Sequence, residues 1–216
     1  MMSAEQIIPL IALVIPAIFA ITLHEVAHGW MARECGDPTA AEANRLSLNP
    51  LRHVDPLGTV LIPAATYLLS GFVFGWAKPV PVEWRLLRNP RRDIALVALA
   101  GPGANLLMLL VWVGISRLAI ALGVEGGSAE FIATMCRIGV LANAILMLLN
   151  MLPVPPLDGS RVVSVLLPAN ASVLFNRLTP LGLPIVLALM MTGILSAILL
   201  PPLGFILAQA GRVGGF

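Results

Sequence analysis

IIPLIALVIPAIFAITLHEVAHGWM, residues 7–31, decides how this chain is read. A helix rising about 1.5 Å per residue crosses a hydrocarbon core about 30 Å thick within a run of this length. The run is apolar apart from a few positions, chiefly Pro16, Thr22, His24, Glu25 and His28. On a helix, residues four apart share one face, so His24 and His28 present their imidazoles about a turn apart. That arrangement suits two positions of a tetrahedral zinc site with Zn–N distances of about 2.0–2.1 Å. Glu25 falls beside them, where a carboxylate can take a proton from water and relay it to a leaving amine. In a soluble surface helix so short a motif carries little weight. Inside an apolar helix each charged group costs on the order of 2.5–3.5 kcal/mol on insertion scales, and one divalent ion offsets that cost for all three side chains together.

The rest of the chain agrees with a membrane setting. Its 216 residues are 58% hydrophobic and 11% charged, and the mean hydropathy is +0.94, far from the composition of a soluble domain. We therefore expect an all-α membrane protein, a polytopic helical bundle of five to six transmembrane segments with a small re-entrant β-element. We read residues 1–216 as a single domain, with a catalytic core over 7–167 and hydrophobic C-terminal segments over 168–216. The net charge of +2 is small, and no basic run with interleaved aromatics suggests nucleic acid. The basic residues instead gather in polar stretches: Arg33, Arg45 and Arg52 after the first apolar run, then Arg85, Arg88, Arg91 and Arg92. Both stretches are expected on the cytoplasmic side of a plasma (inner) membrane of bacterial type.

Segment 57–84 lies between these two inside stretches, so it must enter the membrane and return. Leu57 to Phe74 reads as the inward piece. GWAKPVPVEW, residues 75–84, has prolines at 79 and 81, which forbid helix and favour an extended strand with an unpaired edge. Further spans are expected over 94–123, with a break or kink at Ala100-Gly101-Pro102-Gly103, and over 131–152. The stretch 168–180 reads as interfacial, and 181–207 as a last hairpin or kinked span. The first apolar run lacks the basic flank and cleavage site of a removable signal peptide. Cys35 and Cys136 are too few and too far apart for a redox pair, and we read both as packing residues.

A catalytic zinc takes three protein ligands and leaves a position for water. Two candidates stand out for the third ligand. Asp158 follows the proline-broken stretch NMLPVPPLDG (residues 150–159) at membrane depth, where a lone carboxylate would be costly. His53 lies in the polar loop and reads first as a hydrogen-bonded interfacial histidine, with a gating or accessory-ligand role as the alternative. Asp158 is favoured. Asn150 could offer an amide to an oxyanion, or simply cap a helix, and Asn105 could tie two helices together.

HEVAHG on the first helix, AGPGAN at 100–105 and N-x-x-P-x-P-x-L-D-G at 150–159 together resemble the site-2 protease family of intramembrane zinc metalloproteases. NPLRHVDPLGT and FGWAKPVPV resemble its compact branch, which lacks PDZ and CBS domains. The resemblance covers residues 7 to about 167. It implies one Zn2+ per chain held by His24, His28 and Asp158, Glu25 as general base, Asn150 as an aid to the oxyanion, and a membrane-inserted β-element near 75–84. The expected activity is hydrolysis of peptide bonds within or near transmembrane segments of membrane-protein substrates. A substrate of this kind would pair its backbone with the edge formed by Trp76, Ala77, Lys78, Pro79, Val80, Pro81 and Val82. The expected partners are that substrate and the lipid bilayer, with no nucleic acid. A divalent-cation transporter using the same cluster, or a non-catalytic scaffold with a structural metal, are the alternatives from other classes.

Overall fold

The computed structural model describes residues 4–53, 55–62, 68 and 78–216, and for residues 4–10, 56, 59 and 60 the backbone alone. Seven helices carry the architecture: α1 (Ala4–Glu34), α2 (Pro90–Ala121), α3 (Gly126–Asn150), α4 (Asp158–Leu166), α5 (Ala169–Asn176), α6 (Gly182–Met191) and α7 (Ile194–Gly214). Five segments among the described residues are long and apolar enough to cross a membrane: Ile11–Glu34, Pro90–Ala121, Gly126–Asn150, Ala169–Met191 and Ile194–Gly214. The chain is a multi-pass integral membrane protein.

α1, α2 and α3 pack against one another in all three pairings, and α1 shows how. Every fourth residue from Ala12 through Pro16, Ala20 and His24 is buried, His28 is partly buried, and Ala32 is buried again. This is one face of the helix. Ile11, Leu13, Val14, Ile15, Ile18 and Phe19 lie on the other faces and are exposed, as lipid-facing side chains are. Small residues on the inward face let neighbouring helices come close, which is what drives association where lipid is as apolar as protein. The two histidines continue that same inward row.

α2 and α3 form an antiparallel pair around Leu109, Trp112, Val113, Cys136, Val140 and Ala144, with Ala210 of α7 closing the cluster. The expected break at 100–103 is not a break: α2 runs unbroken with Pro102 inside it. Proline removes one backbone donor and crowds the preceding turn. One turn back the Val97 carbonyl accepts a hydrogen bond from His28 Nδ1 at 2.7 Å, which ties this part of α2 to α1. The stretch expected to be interfacial, 168–180, holds the short helix α5 at Ala169–Asn176. The final hairpin turns at Gly193, whose φ of +75° lies in the left-handed region open to glycine.

The end of α1 and the start of α2 meet on one side. Arg88 donates to the Cys35 carbonyl through its backbone N–H at 3.1 Å and through Nε at 3.2 Å, and a cluster of Ala32, Cys35, Leu87 and Val97 seals the junction. Between them, no strand forms among the described residues. Lys78–Glu83 is a chain without regular structure, bonded to the loop from Asp37 to His53 and to Glu25 rather than to a sheet. Trp76 and Ala77 lie outside the described residues.

α3 ends at Asn150, and three prolines, Pro153, Pro155 and Pro156, carry the chain back until α4 starts at Asp158. α4 packs against α2. The return is tight: a side chain at Gly159 would overlap the Met151 carbonyl. Gly159→Ala is therefore expected to lower stability by about 1–3 kcal/mol, read as a lower midpoint for thermal unfolding in detergent. An unchanged midpoint would mean that this approach is looser than described.

Candidate metal centre

His24 and His28 reach inward from α1, and Asp158 meets them from the first turn of α4. His24 Nε2 and His28 Nε2 are 3.0 Å apart, and each is 3.3 Å from Asp158 Oδ2. Ligand atoms about 2.0–2.1 Å from a shared tetrahedral centre stand roughly 3.3 Å from each other, so the triangle has the size of one face of a zinc site. These are the residues that could hold a metal together among those described.

The donor set fits a cation on chemical grounds. His28 Nδ1 is bonded to the Val97 carbonyl, an acceptor, so the ring proton is on Nδ1 and Nε2 carries a lone pair. His24 Nδ1 is bonded to Asn105 Oδ1 at 2.7 Å, with the same consequence. Asp158 Oδ2 is buried and receives no hydrogen bond. Two imidazole lone pairs and a carboxylate oxygen facing one another in an apolar bundle repel unless a positive charge lies among them.

His24, His28 and Asp158 open onto a cavity of about 740 Å³ whose wall includes Glu25, Asn150, Val80 and Val82. Glu25 Oε2 accepts a hydrogen bond from the Val80 N–H at 2.9 Å, which leaves the second carboxylate oxygen uncommitted by that bond. Pro79 also lines the cavity, whereas Lys78 and Pro81 do not. Lys78 is held elsewhere, its N–H on the His53 carbonyl at 2.9 Å and its own carbonyl on Arg45 Nη2 at 2.7 Å. His53 is buried with Nε2 on the Ser47 carbonyl at 2.8 Å and is not among the residues that converge with His24. Asn105 lies behind His24, not on the cavity wall.

Several wall residues had no signal in sequence. Leu183 and Val186 come from α6, beyond the stretch expected to hold the catalytic core. Arg161 is a turn along α4 from Asp158, with its guanidinium 4.3 Å from the centre of the Trp84 ring. Burial draws that guanidinium below its ordinary value, and the Asp158 carboxylate opposes the shift. Asn143 is fully buried in α3; an amide inside an apolar span is costly enough to have drawn notice.

A polytopic helical membrane protein with two helical imidazoles and a carboxylate converging in a cavity that a glutamate also lines defines the class of membrane metalloproteins. Comparison with known proteins narrows this. "Putative zinc metalloprotease YwhC" of Bacillus subtilis (strain 168) is 37% identical over 202 residues, covering 93% of this chain and 87% of that protein. Two Rip2 proteins with the same description are similar: 31% identity over 143 residues in Mycolicibacterium smegmatis, and 30% over 146 in Mycobacterium tuberculosis (strain H37Rv). Each Rip2 match covers 66% of this chain and 52% of the relative. No family model matches the chain, and no solved structure matches it. The chain belongs to the site-2 protease family of zinc metalloproteases, and Zn2+ is its cofactor. Nothing in these relatives favours a transporter or a scaffold.

The AGPG turn of α2 passes directly over the site. A methyl group at Gly101 would overlap the rings of both His24 and His28, whereas one at Gly103 would meet nothing within 4 Å. Gly101→Ala is thus expected to weaken zinc binding about tenfold or more, the scale of a displaced ligand environment, while Gly103→Ala leaves it unchanged. Chelator competition on the purified protein measures both, and equal affinities would refute the close approach.

Proposed function

We propose that this chain hydrolyses peptide bonds within or near the transmembrane segments of membrane-protein substrates, with His24, His28 and Asp158 holding one zinc ion and Glu25 moving the proton. The observation that carries this reading is the meeting of two lone-pair nitrogens and an orphaned carboxylate oxygen in a cavity that Glu25 also lines. The chemistry zinc supplies when held there is acidification of a water molecule and polarisation of a carbonyl.

Glu25 takes the water's proton on the oxygen not bonded to Val80 and delivers it to the leaving nitrogen. Asn150, at the end of α3 on the same wall, turns its amide toward the oxygen that gains charge on the substrate carbonyl. The apolar remainder of the wall, including Leu183 and Val186, excludes bulk water from the site and accepts apolar substrate side chains.

A helical substrate must unwind before its carbonyls can be attacked, since they are already hydrogen-bonded. We assign the receiving edge to residues 76–82, where an extended peptide pairs with backbone that prolines keep out of helix. Support comes from the place of Val80 and Val82 on the cavity wall and from the hydrogen bond that the Val80 N–H donates to Glu25. The ligands lie toward the end of α1 that carries Arg33, and α2 starts nearby with Arg91 and Arg92. That charge bias supports a site opening toward the cytoplasm from an inner-membrane protein.

Glu25→Gln is expected to keep stoichiometric zinc and lose cleavage of a reporter transmembrane peptide by about 10²–10⁴-fold. Retained cleavage at normal zinc content would refute the role of Glu25, and a transporter would instead carry zinc into liposomes. Val82→Pro, which deletes a backbone donor beside the site, is expected to slow cleavage of a helical reporter about tenfold. Unaltered rates would remove residues 76–82 from substrate binding.

A further inference from the structure

Behind the metal site runs a chain of hydrogen bonds that crosses three helices. Asn105 Oδ1 meets His24 Nδ1 at 2.7 Å. Asn105 Nδ2 donates to the Ala20 carbonyl at 3.1 Å and to Asn143 Oδ1 at 2.9 Å. Asn143 Nδ2 donates in turn to the Gly139 carbonyl at 2.8 Å. Asn105 and Asn143 are both 0% exposed.

The two backbone carbonyls remove any ambiguity about which way these amides face. The Ala20 carbonyl only accepts, so the Asn105 nitrogen must be turned to it. The same reasoning at Gly139 turns the Asn143 oxygen toward Asn105, which uses the second Asn105 donor. Asn105 Oδ1 is then an obligate acceptor aimed at His24, and His24 must answer with a proton on Nδ1. Its Nε2 is left bare for a metal. His28 reaches the same state through a main-chain carbonyl, so Asn105 is the point at which a side chain governs the ligands.

We propose that Asn105, itself oriented by the Ala20 carbonyl and by Asn143, is a positioning residue that sets the tautomer and ring plane of His24 so that Nε2 faces the zinc. This rests on the reading of His24 as a ligand given above. A tie between helices alone would need hydrogen bonds to Ala20 and Asn143 but not the acceptor on His24. The acceptor makes the prediction specific to metal binding, where outer partners of a ligating histidine typically change affinity 10–100-fold.

The test is zinc affinity by chelator competition on the purified full chain, together with thermal unfolding of the metal-free protein. Asn105→Leu is expected to weaken zinc 10–100-fold. Asn105→Asp keeps an acceptor for His24 while losing both donations, and is expected to restore most of that affinity even though the metal-free protein unfolds earlier. Asn143→Ala is expected to lower the unfolding midpoint with a smaller effect on zinc, because the Ala20 carbonyl still holds Asn105. Wild-type affinity in Asn105→Leu, or no recovery in Asn105→Asp, overturns the proposal. Should Asn105→Leu fail to fold, nitrogen NMR of histidine-labelled, zinc-loaded wild type decides: His24 protonated on Nδ1 supports the assignment, and His24 protonated on Nε2 overturns it. His24→Ala separates the two levels, since unimpaired zinc binding in that variant defeats the ligand reading itself.

Discussion

Mutual repulsion among three electron-rich atoms is the constraint on which the architecture depends. His24 Nε2, His28 Nε2 and Asp158 Oδ2 stand 3.0–3.3 Å apart within an apolar bundle, where their repulsion is far stronger than in water. Holding them there takes rigid supports on every side. α1 supplies two from one helical row, the Val97 carbonyl and Asn105 orient the rings, and the Gly159 turn brings the aspartate back against them. The same frustration makes the place attractive to a divalent cation. Binding relieves what folding has stored, so zinc should bind tightly and steady the bundle as it does so.

The chain from Lys78 to Glu83 is governed by a second set of buried charges. Asp37 is fully buried and accepts from the Thr39 and Glu83 N–H groups at 3.0 and 2.7 Å. Arg45 caps the Lys78 carbonyl from the other side. With Glu25 bonded to Val80 between these two anchors, the segment is suspended over the site by its backbone. Such hydrogen bonds to charged groups are worth more than neutral ones, and they leave side chains such as Val82 free to line the cavity.

Much of the site was legible because lipid makes polar residues conspicuous. HEVAH stood out within an apolar helix, and Asp158 stood out after a proline-broken stretch at membrane depth, where each demanded a partner. The spacing could not say that Pro102 would be carried inside a continuous α2, since whether a proline bends a helix depends on what relieves the freed carbonyls. Nor could it separate the candidate roles of His53, because both a ligand and a buried hydrogen-bonded histidine look the same along the chain. The extended strand expected over 75–84 takes no regular form in the described Lys78–Glu83, whose hydrogen bonds go to the His53 carbonyl and to the side chains of Arg45, Glu25 and Asp37.

The amino-acid order alone determined the membrane class, the helical character and the two imidazoles on one face with Glu25 beside them, because these rest on local periodicity and on the cost of charge in hydrocarbon. Tertiary structure alone decided how closely Asp158 approaches the two imidazoles, that a side chain at Gly101 would meet both rings, that α6 walls the cavity, and that Asn105 and Asn143 stand behind His24. Those are distances between atoms far apart in the chain, set by how closely helices approach, and no pattern within one segment encodes them.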